Sequence, residues 1–210
     1  MSGEQNGAPV AQPDSFEFTP ENLEKAKHHI AKYPPGRQAS AVLPLLDLAQ
    51  RQTGNWLPRA AMDTVARLLE MAPIRVYEVA SFYSMFNLRP VGKHFFQICT
   101  TTPCWLRGSD EVVAACRSKL GIDIDETTAD GKFSLLEVEC LGACVNAPVI
   151  QVNDDFYEDL DGPATEALID ALARGATPKP GTVIKRQNSA PVTGATTLHV
   201  VKSAGDPDAA

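Results

Sequence analysis

Residues 94–104, HFFQICTTTPC, contain a β-prone run that leads directly to a pair of cysteines. Residues 133–144, FSLLEVECLGAC, repeat this pattern with a second pair. Aromatic and branched residues predict a strand in each stretch, and an apolar helical stripe ending at Gly121 predicts a helix between them, which Ser109 is expected to cap. In a β-α-β arrangement the two strands run parallel and end at one rim of the sheet. The two cysteine pairs are therefore expected to converge at that rim.

The chain beyond the second pair completes an α/β domain. Residues 148–152 and 156–160 are β-prone and flank Asn153-Asp154-Asp155, which predicts a hairpin. Its acidic residues, Asp159 included, are expected to form a solvated edge. Asp161-Gly162-Pro163 then begins the last helix. The order strand, helix, strand, hairpin and helix is that of a thioredoxin-like fold.

The N-terminal part is helical, with proline at most of its joints. Helices are predicted to begin at Thr19-Pro20, at Gln38, at Pro58 and at Pro73, each followed by an apolar stripe at helical spacing. We therefore expect an N-terminal helical bundle followed by the thioredoxin-like domain. The expected divisions are a mobile leader at 1–15, the helical bundle at 16–87, the thioredoxin-like domain at 88–175 and an extended C-terminal tail at 176–210.

Composition excludes several classes of function. The 210 residues contain 26 acidic and 19 basic side chains, so the net charge of −7 argues against a nucleic-acid-binding protein. No apolar run approaches the roughly 18 residues that span a membrane. The N-terminus lacks the pattern of a secretory signal, which predicts a cytoplasmic protein with reduced cysteines.

The spacing of the cysteines indicates a metal centre. Four residues separate Cys99 from Cys104, and three separate Cys140 from Cys144. Zinc sites favour two residues between paired cysteines, whereas these wider gaps suit a two-iron cluster in which each pair binds its own iron. Zinc and cysteines without a metal remain alternatives at this point. Cys116 lies on the apolar face of a predicted helix, and we interpret it as a core residue.

Three stretches resemble one protein family. Residues 99–108, CTTTPCWLRG, and 139–148, ECLGACVNAP, resemble the two cluster loops of the thioredoxin-like [2Fe-2S] ferredoxin family. Residues 76–86, VYEVASFYSMF, are similar to the helical-domain signature of its respiratory complex I branch, the 24-kilodalton-type members found in NADH:quinone oxidoreductases. The resemblance spans about residues 16–175.

This resemblance implies a site and a function. The ligands of one [2Fe-2S] cluster would be the four paired cysteines, Cys99, Cys104, Cys140 and Cys144. The chain would exchange single electrons with the flavin of a neighbouring subunit, as part of an NADH:quinone oxidoreductase. FMN and NADH would be bound by that partner only, because this chain has no dinucleotide or P-loop motif, and the chain alone is expected to be inactive.

The resemblance also implies an assembly. The expected partners are the flavin- and NADH-binding subunit and the adjacent large iron-sulfur subunit, which would hold the chain on the cytoplasmic side of a bacterial inner membrane. The tail, with short β-prone pieces at Val183-Ile184 and 198–201, is expected to be extended and held mainly by partners. Two alternatives remain: a diaphorase subunit of an NAD-linked hydrogenase or formate dehydrogenase, and a zinc-stabilised binding module.

Overall fold

The computed structural model describes residues 10–194, and its contacts divide the chain into two units at 93/94. Residues 1–9 of the leader predicted at 1–15, and the β-prone piece at 198–201, lie outside the described residues. Among the described residues, no helix combines the length and the apolar character needed to cross a bilayer.

The first unit consists of helices joined by short loops. Its α-helices are α1 (Pro20–Ala31), α2 (Val42–Gln52), α3 (Arg59–Leu68) and α4 (Pro73–Phe82). Proline occupies the first turn of α1 and α4, where its missing N–H is not needed. The four predicted helices are present. However, Gln38–Ala41 form a 3-10 turn before α2. Helix α4 ends at Phe82 and not near Val79, where the sequence predicts its end, because no helix breaker follows Val79.

One apolar core holds these helices together. It contains fully buried leucine and valine side chains from three of the helices and one loop, Leu45, Leu46, Leu57, Val65 and Val76. Buried Gln50 ties this core to the end of the unit: its Nε2 donates to the Met85 carbonyl at 3.0 Å, and its Oε1 accepts from the Asn87 amide at 2.7 Å. Burying the Gln50 amide is tolerated because both of its ends are hydrogen-bonded.

The second unit is a mixed sheet with helices. Its elements are β1 (His94–Cys99), α5 (Thr102–Leu106), α6 (Ser109–Leu120), β2 (Phe133–Val138), β3 (Val149–Val152), β4 (Asp155–Glu158), α7 (Gly162–Ala173) and β5 (Gly181–Thr182). The strand order is β2-β1-β3-β4-β5. Strands β1 and β2 are parallel, as are β4 and β5, whereas β3 is antiparallel to both of its neighbours.

The core of this unit lies between the sheet and the two long helices. Phe96, Ile98 and Ile150 from the sheet are buried together with Val112 and Cys116 of α6. Helices α6 and α7 also pack against each other. The predicted α/β order is thus present, and the site at the strand ends is built on a packed scaffold.

Local details differ from the sequence predictions at two places. The N-cap of α6 is Gly108, with φ of 97°, and not Ser109, which is the buried first residue of the helix and has no hydrogen-bond partner for its hydroxyl among the described residues. Helix α5 was not predicted because it has only five residues, and Gly108 supplies the left-handed turn between α5 and α6. The hairpin turn is Asn153-Asp154, with Asp155 already in β4.

The start of the tail folds onto its own unit. Strand β5 pairs with β4 in parallel, and the Val183 amide donates to the Glu158 carbonyl at 3.1 Å. This differs from the expectation that partners hold the tail. The reason is an exposed edge strand, β4, whose free backbone groups find a partner in residues 181–183.

Candidate metal centre

The parallel pairing of β1 and β2 brings the two cysteine pairs to one edge of the sheet. Cys99 ends β1 opposite Val138, and Cys140 follows that residue by two positions. The Cys99 thiol influences the pKa of Cys104, and it lies close enough to Cys140 and Cys144 to influence both electrostatically. The structure therefore brings the four predicted cysteines together.

The first pair is buried. Cys99 and Cys104 are 2% and 1% exposed. Cys99 is fixed by β1, and Cys104 by the short helix α5. Burial raises the pKa of Cys99, but hydrogen bonds from Thr101, whose hydroxyl lies 3.3 Å from Sγ, and from the Leu141 amide lower it by more. Burial, followed by the hydrogen bond to Cys99, raises the pKa of Cys104 to about 12.

The second pair lies in an exposed loop. Cys140 Sγ and Cys144 Sγ are 3.3 Å apart, and both residues are exposed. The Gly142 amide donates to Cys140 Sγ at 3.4 Å and, followed by the Cys144 thiol, lowers the pKa of Cys140. Gly142 has φ of 84°, a conformation that suits glycine and turns the loop between the two cysteines. The hydrogen bond to Cys140 raises the pKa of Cys144.

The donor set fits an iron-sulfur cluster. Four cysteines supply the thiolates that a [2Fe-2S] cluster uses. The Gly142 amide donates to Cys140 Sγ, and hydrogen bonds from the Leu141 and Val149 amides oppose the effect of burial on the pKa values of Cys99 and Cys104. Such N–H groups stabilise negative charge on sulfur and orient the ligands. The loop sequence, with small residues beside the cysteines, permits this close approach of the backbone.

The thiols are arranged in pairs. Within residues 10–194, no three His, Cys, Asp or Glu side chains surround one point as the ligands of a single ion would. A structural zinc site places four ligands on one ion in a tetrahedron, whereas a two-iron cluster takes one pair on each iron. The paired thiols thus fit the donor set of a two-iron cluster.

Large apolar side chains surround the cysteines on the protein surface. Trp105 and Leu106 of α5 and Val145 beside Cys144 are all more than half exposed. The sequence alone leaves open whether Trp105 lies in the core, and the structure places it at the surface. Such exposed apolar side chains are typical of a surface that another protein covers. In contrast, Cys116 is fully buried, and burial raises its pKa to about 12.

Three residues near the site were missed by sequence reasoning. Asn146 is buried, and it contacts Arg186 of the tail. Asp159, expected at a solvated edge, has a side chain that is almost completely buried against Arg186. No local signal joins Arg186 to Asn146, 40 positions earlier in the sequence, so only the tertiary structure could bring Arg186 to the turn Cys144–Asn146. The Ala147-Pro148 peptide bond that follows Asn146 is cis.

Comparison with known proteins places the chain in a family. The thioredoxin-like [2Fe-2S] ferredoxin family matches residues 26–173. The E-type subunit of the NADH-quinone oxidoreductase of Rickettsia bellii is 61% identical over 158 residues, which are 75% of this chain and 95% of that protein. The mitochondrial NADH dehydrogenase [ubiquinone] flavoprotein 2 of Dictyostelium discoideum is 53% identical over 183 residues, covering 87% of this chain and 74% of that protein.

A solved structure supports the fold. The crystal structure of an H2-reduced NAD+-reducing [NiFe]-hydrogenase matches with a TM-score of 0.56 at 21% identity, covering 64% of this chain and 23% of that longer chain. At this identity the likeness concerns the fold alone. The family match and the curated relatives carry the assignment: this chain belongs to the thioredoxin-like [2Fe-2S] ferredoxin family and is an electron-transfer subunit related to the E-type subunits of NADH-quinone oxidoreductases.

Proposed function

We propose that Cys99, Cys104, Cys140 and Cys144 hold one [2Fe-2S] cluster, and that the chain exchanges single electrons with the flavin of a neighbouring NADH-binding subunit. The observation that carries this proposal is the convergence of two cysteine pairs at one sheet edge, with backbone amides directed at the sulfurs. When bound, the cluster supplies one-electron chemistry that no amino-acid side chain of this site provides.

The residues around the cysteines have separate tasks. Burial of Cys99 and Cys104 excludes water from one side of the site. The amides of Leu141, Val149 and Gly142 donate to sulfur and stabilise its negative charge. The exposed second pair leaves the other side open toward a partner, from which an electron can arrive.

The partner surface is proposed to include the apolar side chains next to the site. Trp105, Leu106 and Val145 would pack against the flavin- and NADH-binding subunit, since aromatic and aliphatic side chains are typical anchors of protein interfaces. In the first unit, Phe82 and Tyr83 are exposed and form an edge-to-face pair. They are candidates for a second contact, with that subunit or with the adjacent large iron-sulfur subunit.

The proposal also names the complex to which the chain belongs. Identity of 53–61% to complex I relatives favours an NADH:quinone oxidoreductase over a hydrogenase or formate dehydrogenase, because the hydrogenase likeness is of fold alone. The partner subunits would keep the chain on the cytoplasmic side of a bacterial membrane. The single apolar core shared by α1–α4 supports the description of the first unit as a helical bundle.

Spectroscopy of the purified chain tests the cofactor. We expect a brown protein that contains iron and acid-labile sulfide in equal amounts and bleaches on reduction. A colourless protein that contains zinc after anaerobic purification would contradict the proposal.

Activity measurements test the division of labour. With an artificial acceptor, the chain alone should not oxidise NADH, whereas the flavin subunit should. When the two are mixed, the cluster should be reduced by NADH. Turnover by the flavin-free chain, or a cluster that NADH cannot reduce in the assembled pair, would overturn the proposed role.

A further inference from the structure

A buried ion pair joins the tail to the chain just after β4. Arg186 Nη2 lies 3.1 Å from Asp159 Oδ1, and the two side chains are 7% and 4% exposed. Thr182 Oγ1 donates to Asp159 Oδ2 at 2.6 Å, so the tail supplies two contacts to this carboxylate. Removing a charged side chain from water is costly, and an opposite charge in contact compensates part of this cost. The pair is therefore a strong constraint on where residues 182–186 lie.

The same guanidinium reaches the second cysteine loop. Arg186 Nη1 donates to the Val145 carbonyl at 3.0 Å and to Asn146 Oδ1 at 2.8 Å. Cys144, Val145 and Asn146 together form one short 3-10 turn. A guanidinium presents its N–H groups in a fixed planar fork, so it fixes the geometry of its acceptors as a lysine ammonium cannot.

Asn146 connects the turn of Cys144 to the end of β4 and to the tail. Its Nδ2 donates to Glu158 Oε2 and, at 3.1 Å, to the Asn188 carbonyl. Its own carbonyl accepts a hydrogen bond from the Asp159 amide at 2.7 Å. The turn that carries Cys144 is thus held between the end of β4 and the tail, although Cys144 itself is exposed.

We propose that Arg186 is a positioning residue of the metal centre. It holds the turn of Cys144 through Val145 and Asn146, and its charge, opposed by Asp159, sets the electrostatic environment of the cluster. This inference rests on the proposed function, because it takes Cys144 as a cluster ligand.

The effect of these charges on the reduction potential of the cluster has a definite sign. Reduction adds one negative charge to the cluster, so nearby positive charge favours the reduced form and nearby negative charge disfavours it. Replacing Arg186 by glutamine leaves Asp159 uncompensated and should lower the reduction potential. Replacing Asp159 by asparagine leaves Arg186 uncompensated and should raise it. Buried charges are screened little by salt, so both shifts should persist at high ionic strength.

The experiment is a redox titration of the full-length, cluster-loaded chain, followed by absorbance and electron paramagnetic resonance. The variants are Arg186→Gln, Asp159→Asn and the double variant. Asparagine keeps the shape of Asp159 and tolerates its left-handed φ of 56°. We expect shifts of opposite sign for the single variants and a potential near the wild-type value for the double variant. Lys185→Gln, which removes a charge from the exposed neighbouring residue, is the matched control and should leave the potential unchanged.

A second measurement isolates positioning from charge. Arg186→Lys keeps the positive charge but loses the fork, so its potential should stay close to that of the wild type. Hydrogen exchange at the amides of residues 144–147 should nevertheless become faster than in the wild type and in Lys185→Gln.

Each result decides either the electrostatic role or the positioning role of Arg186. Shifts of the same sign in Arg186→Gln and Asp159→Asn, or no shifts in a wild-type protein that carries its cluster, would overturn the electrostatic role. Unchanged exchange in Arg186→Lys would overturn the positioning role. If Arg186→Gln does not assemble, Asp159→Asn and Arg186→Lys still decide both parts. A wild-type chain without a [2Fe-2S] spectrum would instead refute the proposed function.

Discussion

The two cysteine pairs of this protein are held in different ways. Cys99 and Cys104 are buried, and each belongs to a regular element, β1 or α5. Cys140 and Cys144 are exposed, and the turn that carries Cys144 is held by residues far away in sequence, Asp159 and Arg186 among them. The first pair is therefore positioned by local structure and core packing, and the turn of Cys144 by polar contacts from the end of β4 and from the tail.

The difference shows that cysteines proposed as ligands of one cluster can be held in place by different kinds of contact. In both pairs the pKa of one thiol is lowered and that of the other is raised, yet burial is the largest influence only in the first pair. In the second pair the main influences are a backbone amide and the neighbouring thiol. A buried pair and an exposed pair can both contribute ligands to one cluster if residues outside the loop of the second pair hold that loop in place.

The largest expected effect comes from removing a ligand of either pair. Cys104→Ser and Cys140→Ser should each lower bound iron at least about tenfold, because serine is a poor substitute for thiolate at iron and leaves one metal incompletely ligated. Iron and sulfide analysis with the visible spectrum checks this. Cys116→Ser is the matched control and should keep the full cluster. Normal cluster content in Cys140→Ser would remove the second pair from the site.

The next largest effect concerns access to the thiols in the cluster-free protein. At pH 8, Cys140 should react with an alkylating reagent first, because it is exposed and its pKa is lowered. Cys104 should react more than about a thousandfold more slowly, since a thiol with a pKa of about 12 is ionised in only about one molecule in ten thousand at this pH. A time course by mass spectrometry measures both rates.

The same experiment contains its control. In guanidinium chloride all five cysteines should react at similar rates, because unfolding removes both burial and local hydrogen bonds. If Cys104 and Cys140 are alkylated equally fast in buffer, the contrast between a buried and an exposed pair is wrong for the protein in solution.

A smaller effect separates ligand cysteines from the core cysteine. Cys116 is fully buried between α6 and its neighbours, so Cys116→Ser places a hydroxyl in an apolar core and should lower the free energy of unfolding by about 1–3 kcal/mol. Denaturant titration of the loaded protein measures the loss. Cys116→Ala, which buries no polar group, separates the cost of the hydroxyl from that of the smaller side chain. Loss of iron without loss of stability would show that Cys116 belongs to the site.

The smallest expected effect tests the backbone of the second loop. Gly142 has φ of 84°, and an added Cβ would meet no atom within 4 Å, so Gly142→Ala should cost about 1–2 kcal/mol through backbone conformation alone. Gly162→Ala is the matched control, because that position also has space but an ordinary φ. The rate at which a chelator removes iron should rise in the first variant only. Equal rates in both would show that the exposed loop adapts without cost.

Sequence reasoning succeeded where short-range pattern decides structure. The strands β1 and β2 were predicted from their aromatic and branched residues, and the helix between them from its apolar stripe at helical spacing. Convergence of the cysteines then followed from the parallel pairing that a β-α-β unit imposes. The cap of α6 was predicted wrongly: Gly108 with its left-handed φ serves the turn after α5, a helix too short to leave a periodic signal.

By itself, the sequence determined the cysteine pairs, the two strands that lead to them and the family to which the chain belongs, because each of these is encoded in residues close to one another along the chain. Only the tertiary structure decided that one pair is buried and the other exposed, and that Arg186 and Asp159 meet at the turn Cys144–Asn146. Burial and long-range ion pairs depend on which distant segments pack together, and a tail of scattered polar and β-prone residues gives no local signal of where it docks.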